Sequence, residues 1–260
     1  MKLIKSLKMA ALSTALIAGS VMADMPAKFS PQQQKAIESI VRDYLVKNPE
    51  ILVEVSQALQ QKQRSEMMNQ AKTAIDGNAK ALFSAKSPTI GNAKGNVTLI
   101  EFFDYQCGHC KKMAPVLSQL VKNDSNLRVI YKDFPIFGKS SDVAARAALA
   151  AQKQGKYKAL HDKLINAKQR LSTQIVMQAA KSAGLDVTKL KKDMESPEIK
   201  AELKANMQLA EKLRLMGTPA FIIASTPNGQ FKAGGKSFFV PGAASEEALQ
   251  DLIKQAGGNS

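Results

Sequence analysis

The spacing of apolar residues predicts two helices at the start of the folded chain. Ser30 and Gln33, with a proline between them, are placed as an N-cap and its partner in a capping box. Apolar residues then recur at helical spacing until Asn48-Pro49, which predicts the end of the first helix. A second helical pattern starts at Glu50 and has a polar middle, so we expect that middle to be poorly buried.

A strand–helix–strand unit follows a turn-rich segment. Residues 97–104 form a nearly continuous apolar run rich in β-branched and aromatic residues, which is typical of a strand buried on both faces. A helical pattern begins at Cys107, and residues 127–132 predict a second strand. Strands joined through a helix in this way are normally parallel, so we expect a βαβ unit.

The remaining pattern predicts a helical insertion and a second pair of strands. Residues 140–215 are helical in pattern, 220–224 and 236–240 are strand-like, and 246–255 predict a last helix. This order indicates an α/β domain with a helical insertion, preceded by a small helical module. The predicted divisions are a leader at 1–23, a helical dimerisation module at 24–59, a helical linker at 60–87, the first part of the α/β core at 88–138, the inserted helical domain at 139–216, and the second part of the core at 217–260.

Self-association is the predicted role of the first module. Two short helices cannot bury both their apolar faces alone, so a second copy of the chain would cover them. Docking back onto the α/β domain is the alternative.

Composition and charge narrow the function classes. The chain has 260 residues, 45% of them hydrophobic, and a formal net charge of +15, so a substantial core is possible and wholesale disorder is excluded.

Residues 1–23 combine a basic start, a short apolar run and small residues before Ala23, which predicts a secretory signal cleaved after Ala23. A membrane anchor is the alternative, but it needs about 20 apolar residues. For an exported protein, nucleic acid is not the expected partner. The excess positive charge lies mostly in 139–216, as on a solvated helix face.

The candidate chemistry lies in Cys107-Gly108-His109-Cys110, which contains both cysteines of the chain. The first turn of a helix has unpaired N–H groups and the positive end of the helix dipole, so it should stabilise a thiolate at Cys107. His109 could add positive charge or a hydrogen bond to the same sulfur. Cys110, one helical turn later, is then the resolving thiol that releases Cys107 from a mixed disulfide.

Other interpretations of the two cysteines are weaker. A zinc site needs four ligands, and the chain has only two His to add. Haem attachment needs His directly after the second Cys, where this chain has Lys111. A structural disulfide across so short a loop would stabilise little. The pattern therefore favours redox chemistry without a metal or organic cofactor.

Residues 101–115, together with Gly217-Thr-Pro-Ala-Phe221, resemble the DsbA family of thioredoxin-fold thiol-disulfide oxidoreductases. The resemblance covers about 88–256 and implies a thioredoxin fold with a helical insertion. The preceding module is absent from ordinary monomeric DsbA and is similar in position to the dimerisation modules of the isomerases DsbC and DsbG. The chain thus resembles a dimeric, DsbA-like branch.

The resemblance implies roles for single residues. Cys107 would be the exposed nucleophile and Cys110 its buried partner. Thr218 and a cis Pro219 would face them and bind the substrate strand. Glu101 matches a buried acid that exchanges protons with Cys110.

Lys132 and His161 have simpler interpretations. An ion pair between Glu101 and Lys132 is the alternative to a proton-exchange role. His161 is expected to be a packed or half-exposed histidine.

The implied activity is introduction and/or isomerisation of disulfides in unfolded or misoxidised exported proteins in the periplasm. Gly108-His109 and Thr218 resemble isomerases, whereas the insertion and Glu101 resemble DsbA. A DsbB-like and/or DsbD-like membrane partner would recycle the cysteines, and peripheral association with the envelope is a further possibility. The alternatives are a non-catalytic dimeric envelope chaperone and a CxxC copper-binding protein.

Overall fold

The structure, a computed structural model, describes residues 29–257. The predicted signal sequence lies outside these residues, as do the first residues of the predicted module and the last three of the chain. The described chain divides into two compact units, one ending at Leu59 and one beginning at Gln60.

The first unit contains the helix α1, Pro31–Lys47, and the start of α2, Glu50–Gly77. Ser30 caps α1 as predicted: its Oγ accepts from Gln33 N at 3.3 Å, and its own N–H donates to Gln33 Oε1 at 2.8 Å. Asn48 is the C-cap. The predicted start and end of α1 are therefore confirmed.

No residue of α1 is buried, and this unit carries a set of exposed large apolar side chains. We call this set the N-terminal apolar surface. Its members have between 41% and 72% of their surface exposed, and they are Ile37, Ile40, Val41, Tyr44, Val46, Leu52, Val53, Val55 and Leu59. Such a surface in water is a candidate interface.

The second unit is built on a five-stranded sheet in the order β1-β3-β2-β4-β5. The strands are β1 Thr89–Gly91, β2 Val97–Phe103, β3 Leu127–Asp133, β4 Ala220–Ser225 and β5 Ser237–Pro241. β2 and β3 are parallel with α4 between them, so the predicted βαβ unit is confirmed. The sequence pattern missed β1, a three-residue edge strand antiparallel to β3, because so short a strand shows no periodicity.

Helices make up the rest of this unit. They are α3 Ala79–Leu82, α4 Gly108–Asn123, α5 Lys139–Gln152, α6 Tyr157–Ile165, α7 Thr173–Ser182, α8 Val187–Met194, α9 Pro197–Lys212 and α10 Glu246–Ala256. Capping residues and glycines separate the helices of the insertion. Ser172 and Ser196 are N-caps, and Gly155 and Gly184 have positive φ between helices.

The sheet separates two hydrophobic cores because side chains alternate along its fully buried central strands. Leu99 and Phe103 of β2 face the core that contains α4, α10 and the inserted helices. Ile100 and Phe102 face the other core, which includes Ala71 and Ile75 of α2. The C-terminal part of α2 is thus a core element, whereas its polar middle, 60–66, is exposed as predicted.

Candidate active site

Cys107 is the N-cap of α4 and sits at the loop between β2 and that helix. Its Sγ donates a hydrogen bond to the carbonyl oxygen of Thr218 at 3.2 Å. The residue is only 3% exposed, so the expectation of an exposed nucleophile is wrong. The reason is that the Thr218–Pro219 loop lies against the sulfur.

Cys110 lies one helical turn further along α4 and is 1% exposed. Burial raises the pKa of its thiol above the ordinary value, and the negative charge of Glu101 raises it further. Both cysteines are free thiols in this structure. Gly108 and His109, between them, are exposed to solvent, and among residues 29–257 the His109 ring has no hydrogen-bond partner.

The peptide bond between Thr218 and Pro219 is cis, as the resemblance implied. Pro219 is buried and Thr218 is half-buried. The two residues lead directly into β4, which pairs with β2. The sheet therefore brings the loop opposite the start of α4, although more than 100 residues separate them in the sequence.

Glu101 lies in the middle of β2 and is 3% exposed. Burial raises the pKa of its carboxyl to about 8, with smaller contributions from Cys107 and Asp133. The alternative ion pair with Lys132 is wrong. Lys132 Nζ donates to Ala81 O at 2.8 Å and to Ser87 Oγ at 2.7 Å. The register pairs Glu101 with Tyr131, so Lys132, the next residue, points to the opposite face of the sheet.

A buried polar cluster on the Glu101 face was not predicted. It contains Asp133 and three tyrosines around His161, namely Tyr105, Tyr131 and Tyr157. Burial raises the pKa of the Asp133 carboxyl well above its ordinary value, and within the described residues neither of its oxygens has a hydrogen-bond partner. Tyr105 Oη lies 3.1 Å from His161 Nδ1, and burial lowers the pKa of His161 to about 4. His161 is packed, as predicted.

Asp104, immediately after β2, fastens the active-site loop and was also missed. Its Oδ1 accepts from Gln106 N and Ser141 Oγ, both at 2.7 Å. Its Oδ2 accepts from Phe137 N at 3.0 Å. An acidic residue at the end of an apolar strand, three positions before a CxxC motif, was the available signal.

Two further side chains tie this loop to the helical insertion. Gln106 Oε1 accepts from Leu171 N at 3.1 Å. Lys111 Nζ donates to Ala167 O at 2.6 Å. The insertion therefore supports the cysteine pair directly, which the helical pattern alone did not indicate.

The arrangement suits exchange between a dithiol and a disulfide. One sulfur sits at the N-terminus of a helix, the second lies in a dry environment beneath it, and a buried acid is close enough to act on both. Within residues 29–257, no group of three or more His, Cys, Asp or Glu is placed to hold a metal ion. Over the same range, every helix is too short or too polar to cross a bilayer.

Comparison with known families agrees with this geometry. Residues 98–254 match the DSBA-like thioredoxin domain, a range that includes Glu101, both cysteines and the cis-proline. The chain belongs to the DsbA-like family. Residues 33–66 of this DsbA-like protein match the N-terminal domain of the copper resistance protein ScsC. It therefore combines a DsbA-like domain with a ScsC-type N-terminal domain.

Individual relatives of the DsbA-like protein support both parts. ScsC of Proteus mirabilis, in a transitional conformation, is 32% identical, with a TM-score of 0.62 over 88% of this chain and 98% of that one. A thioredoxin-like oxidoreductase of Silicibacter pomeroyi is 39% identical, with a TM-score of 0.62 over 68% and 96%. A probable disulfide bond formation protein D of Bacillus anthracis is 24% identical over 56% and 73%. The protein thus falls among thiol-disulfide oxidoreductases.

Proposed function

We propose that this DsbA-like protein is a periplasmic thiol:disulfide oxidoreductase that introduces and/or isomerises disulfides in exported proteins. The observation that carries the proposal is the contact between Cys107 Sγ and the carbonyl that precedes the cis-proline. This contact puts the Cys107 sulfur beside backbone groups that can pair with an extended client. Cys110 is buried one helical turn further along α4.

In the oxidising direction, a client thiolate attacks Sγ of Cys107 in the Cys107–Cys110 disulfide. That bond breaks, a mixed disulfide forms, and Cys110 leaves as a thiolate. Glu101 holds a proton near neutral pH, so its carboxyl is the proton donor to Cys110. A second client thiolate then attacks the mixed disulfide and releases Cys107, which leaves the client oxidised and the pair reduced by two electrons.

In the isomerising direction, the dithiol form acts first. The Cys107 thiolate attacks a non-native client disulfide, and another client thiolate resolves the mixed disulfide with new pairing. No net electrons are transferred. If no client thiolate attacks the mixed disulfide, Cys110 attacks Cys107 and releases it. The client disulfide is then reduced and the Cys107–Cys110 disulfide forms.

Substitution of the two cysteines tests the proposal. We expect Cys107→Ser to abolish both oxidation of a reduced model protein and recovery of a scrambled one. The matched variant, Cys110→Ser, should instead accumulate a mixed disulfide with the client, visible on non-reducing gels. Undiminished turnover in Cys107→Ser would refute the assigned nucleophile.

Copper binding is the second candidate, because residues 33–66 match a family described by copper resistance. This function requires the purified protein to contain copper at stoichiometric levels, and the Cys107→Ser variant to contain none. A chaperone without redox activity would keep its holding activity in that variant. Neither outcome is expected if the cysteines cycle as proposed.

The predicted leader supports export, and recycling by a DsbB-like or DsbD-like membrane protein completes the proposal. The redox state of Cys107 and Cys110 in intact cells separates the two directions. A mostly oxidised pair identifies an oxidase, and a mostly reduced pair identifies an isomerase.

Self-association, as a homodimer, is proposed through the N-terminal apolar surface. Its nine exposed apolar side chains lie on two helices that bury almost nothing within their own unit. A second copy of the same surface would remove them from water.

A further inference from the structure

A small polar cavity lies between α4 and α6, on the sheet face that carries Glu101. Its volume is about 330 Å³. Pro115, Gln119 and Lys122 of α4 line it and are exposed, so solvent reaches this cavity. His161 of α6 also lines it but is buried. We call it the α4–α6 cavity.

A hydrogen bond joins His161 to the interior of the domain. Its Nδ1 lies 3.1 Å from Oη of Tyr105, which is fully buried. Burial lowers the pKa of His161 to about 4, while the charges of Asp162 and Lys158 on the same helix act in opposite directions. The imidazole is therefore neutral near neutral pH. A neutral imidazole donates from one ring nitrogen and accepts at the other, so it can pass a proton on.

Two more buried groups lie beyond Tyr105, the hydroxyl of Tyr157 and the carboxyl of Asp133. Burial raises the pKa of Tyr105 and of Asp133 well above the ordinary values, and the nearby Tyr157 hydroxyl partly offsets this in both. Within residues 29–257, neither Tyr157 Oη nor either Asp133 oxygen has a hydrogen-bond partner. Buried polar groups of this kind normally bond to internal water, which would connect them to one another.

Asp133 brings this series of groups to Glu101. The register of β2 and β3 pairs Glu101 with Tyr131 and Phe103 with Asp133. Asp133 is thus two residues along β3 from the partner of Glu101, and both carboxyls are on the same face of the sheet. After burial and Cys107, the charge of Asp133 is a further cause of the raised pKa of Glu101. Buried polar groups therefore follow one another from the cavity to Glu101.

Glu101 needs a path to water while a client is attached. When its carboxyl gives a proton to Cys110, the carboxylate that remains has to be protonated again before the next cycle. Cys107 and Cys110 are both buried, and the carbonyl oxygen of Thr218 lies 3.2 Å from Sγ of Cys107. A client joined to Cys107 covers this side further, so the proton has to come from another direction.

We propose that the buried polar groups between the α4–α6 cavity and Glu101 form a relay that carries protons between this carboxyl and solvent. The inference rests on the function proposed above and adds the groups that supply its protons. The members of the relay are His161, Tyr105, Tyr157 and Asp133.

One proton crosses the relay in each half of the cycle. When the cysteine pair is reduced, His161 takes a proton from solvent at one nitrogen and passes the proton on its other nitrogen to Tyr105. One proton then moves through the remaining members to the Glu101 carboxylate. When the pair is reoxidised, the same transfers run outward and return the imidazole to its first tautomer. The two electrons pass only between sulfur atoms.

Tyr105→Phe tests the relay because it removes a single hydroxyl and keeps the ring. The measurement is the rate constant for oxidation of an excess of reduced model protein by the oxidised full-length chain, in one turnover and in dilute buffer. We expect this rate to fall about 100-fold, the lower end of what general acid–base catalysis contributes. The equilibrium constant with glutathione should stay at the wild-type value, since a relay changes the rate of proton supply and not its end states.

The matched control is Tyr131→Phe. Tyr131 is another buried tyrosine of this cluster, and its ring centroid lies 4.4 Å from that of His161. The hydrogen bond of His161, however, joins it to Tyr105. Tyr131→Phe should therefore keep the wild-type rate.

Chemical rescue separates proton transfer from packing. His161→Ala leaves a space the size of an imidazole beside the cavity, and added imidazole should raise the rate of this variant at least about tenfold. Pyrrole has the same ring shape but no basic nitrogen, so it should not raise the rate. If His161→Ala fails to fold, the two tyrosine variants decide the question.

Four results would overturn the proposal. They are a wild-type rate in Tyr105→Phe, equal slowing in Tyr131→Phe, equal rescue by imidazole and pyrrole, and slowing in Tyr105→Phe that is accounted for by a changed equilibrium with glutathione. Failure of the wild-type chain to oxidise the model protein would instead contradict the oxidoreductase function itself.

Discussion

Glu101 is an acidic residue in a strand that is fully buried and mostly apolar. It occupies a central position of an apolar strand, and its burial raises the pKa of its carboxyl to about 8. Asp133, on the same face, has a carboxyl whose pKa is raised by the same cause. Ionisation of one buried carboxyl disfavours ionisation of its neighbour, so a proton is retained beneath the cysteines near neutral pH.

Glu101 should make the folded protein less stable as pH rises. In the folded state the Glu101 carboxyl stays protonated up to a pH of about 8, whereas in the unfolded state it loses its proton above about 4.5. The free energy of unfolding therefore falls between these values, by about 1.4 kcal/mol per pH unit. We expect Glu101→Gln to match the wild type at pH 4.5 and to exceed it at pH 8 by an amount on the order of 4 kcal/mol.

Urea unfolding of the dithiol form across this pH range provides the measurement. Glu247→Gln is the control, since it removes a carboxyl from an exposed position on α10. It should leave the pH dependence of wild type unchanged. Parallel curves for Glu101→Gln and wild type would show that Glu101 does not hold its proton in the folded state.

At the scale of elements, the loop between β2 and α4 is attached to the helical insertion. The carboxyl of Asp104 accepts three hydrogen bonds, two of them from residues at and before the start of α5. Gln106 and Lys111 add contacts further along the insertion. The inserted helices therefore position Cys107 as well as covering the sheet.

Loss of the Asp104 carboxylate should weaken this attachment. We expect Asp104→Asn to lower the free energy of unfolding by about 2 kcal/mol, because one buried acceptor and its charge are lost. Ser141→Ala, which removes one of the three donors, should cost about 1 kcal/mol. Chemical denaturation at constant pH measures both. An Asp104→Asn protein as stable as wild type would indicate that the three bonds contribute nothing net.

For the whole molecule, the two units differ in how they bury apolar surface. The unit from Gln60 onward contains two cores, one on each face of its sheet. The unit that ends at Leu59 exposes its large apolar residues. Self-association would bury the apolar side chains of the first unit, as packing against the sheet buries those of the second.

Substitutions in the N-terminal apolar surface test this idea in the full-length chain. Ile40→Glu combined with Tyr44→Glu places two charges one turn apart on α1, and we expect light scattering to report the mass of a single chain. Gln61→Glu, in the exposed polar part of α2, should leave the assembly intact. A wild-type protein that already has the mass of one chain would contradict the proposed dimer.

The sequence determined most of the helices and strands, and the part of the site chemistry that depends on residues close together in the chain. The cap at Ser30, the strands β2 to β5, the helix breaks and the CxxC pair at a helix start are local patterns that backbone geometry and apolar spacing make readable. Tertiary structure decided what depends on distant residues. Only the packed sheet shows that the cis-proline loop covers Cys107, that Lys132 faces away from Glu101, and that Asp133 joins a buried cluster. Burial and charge at these positions come from segments that no local pattern relates to one another.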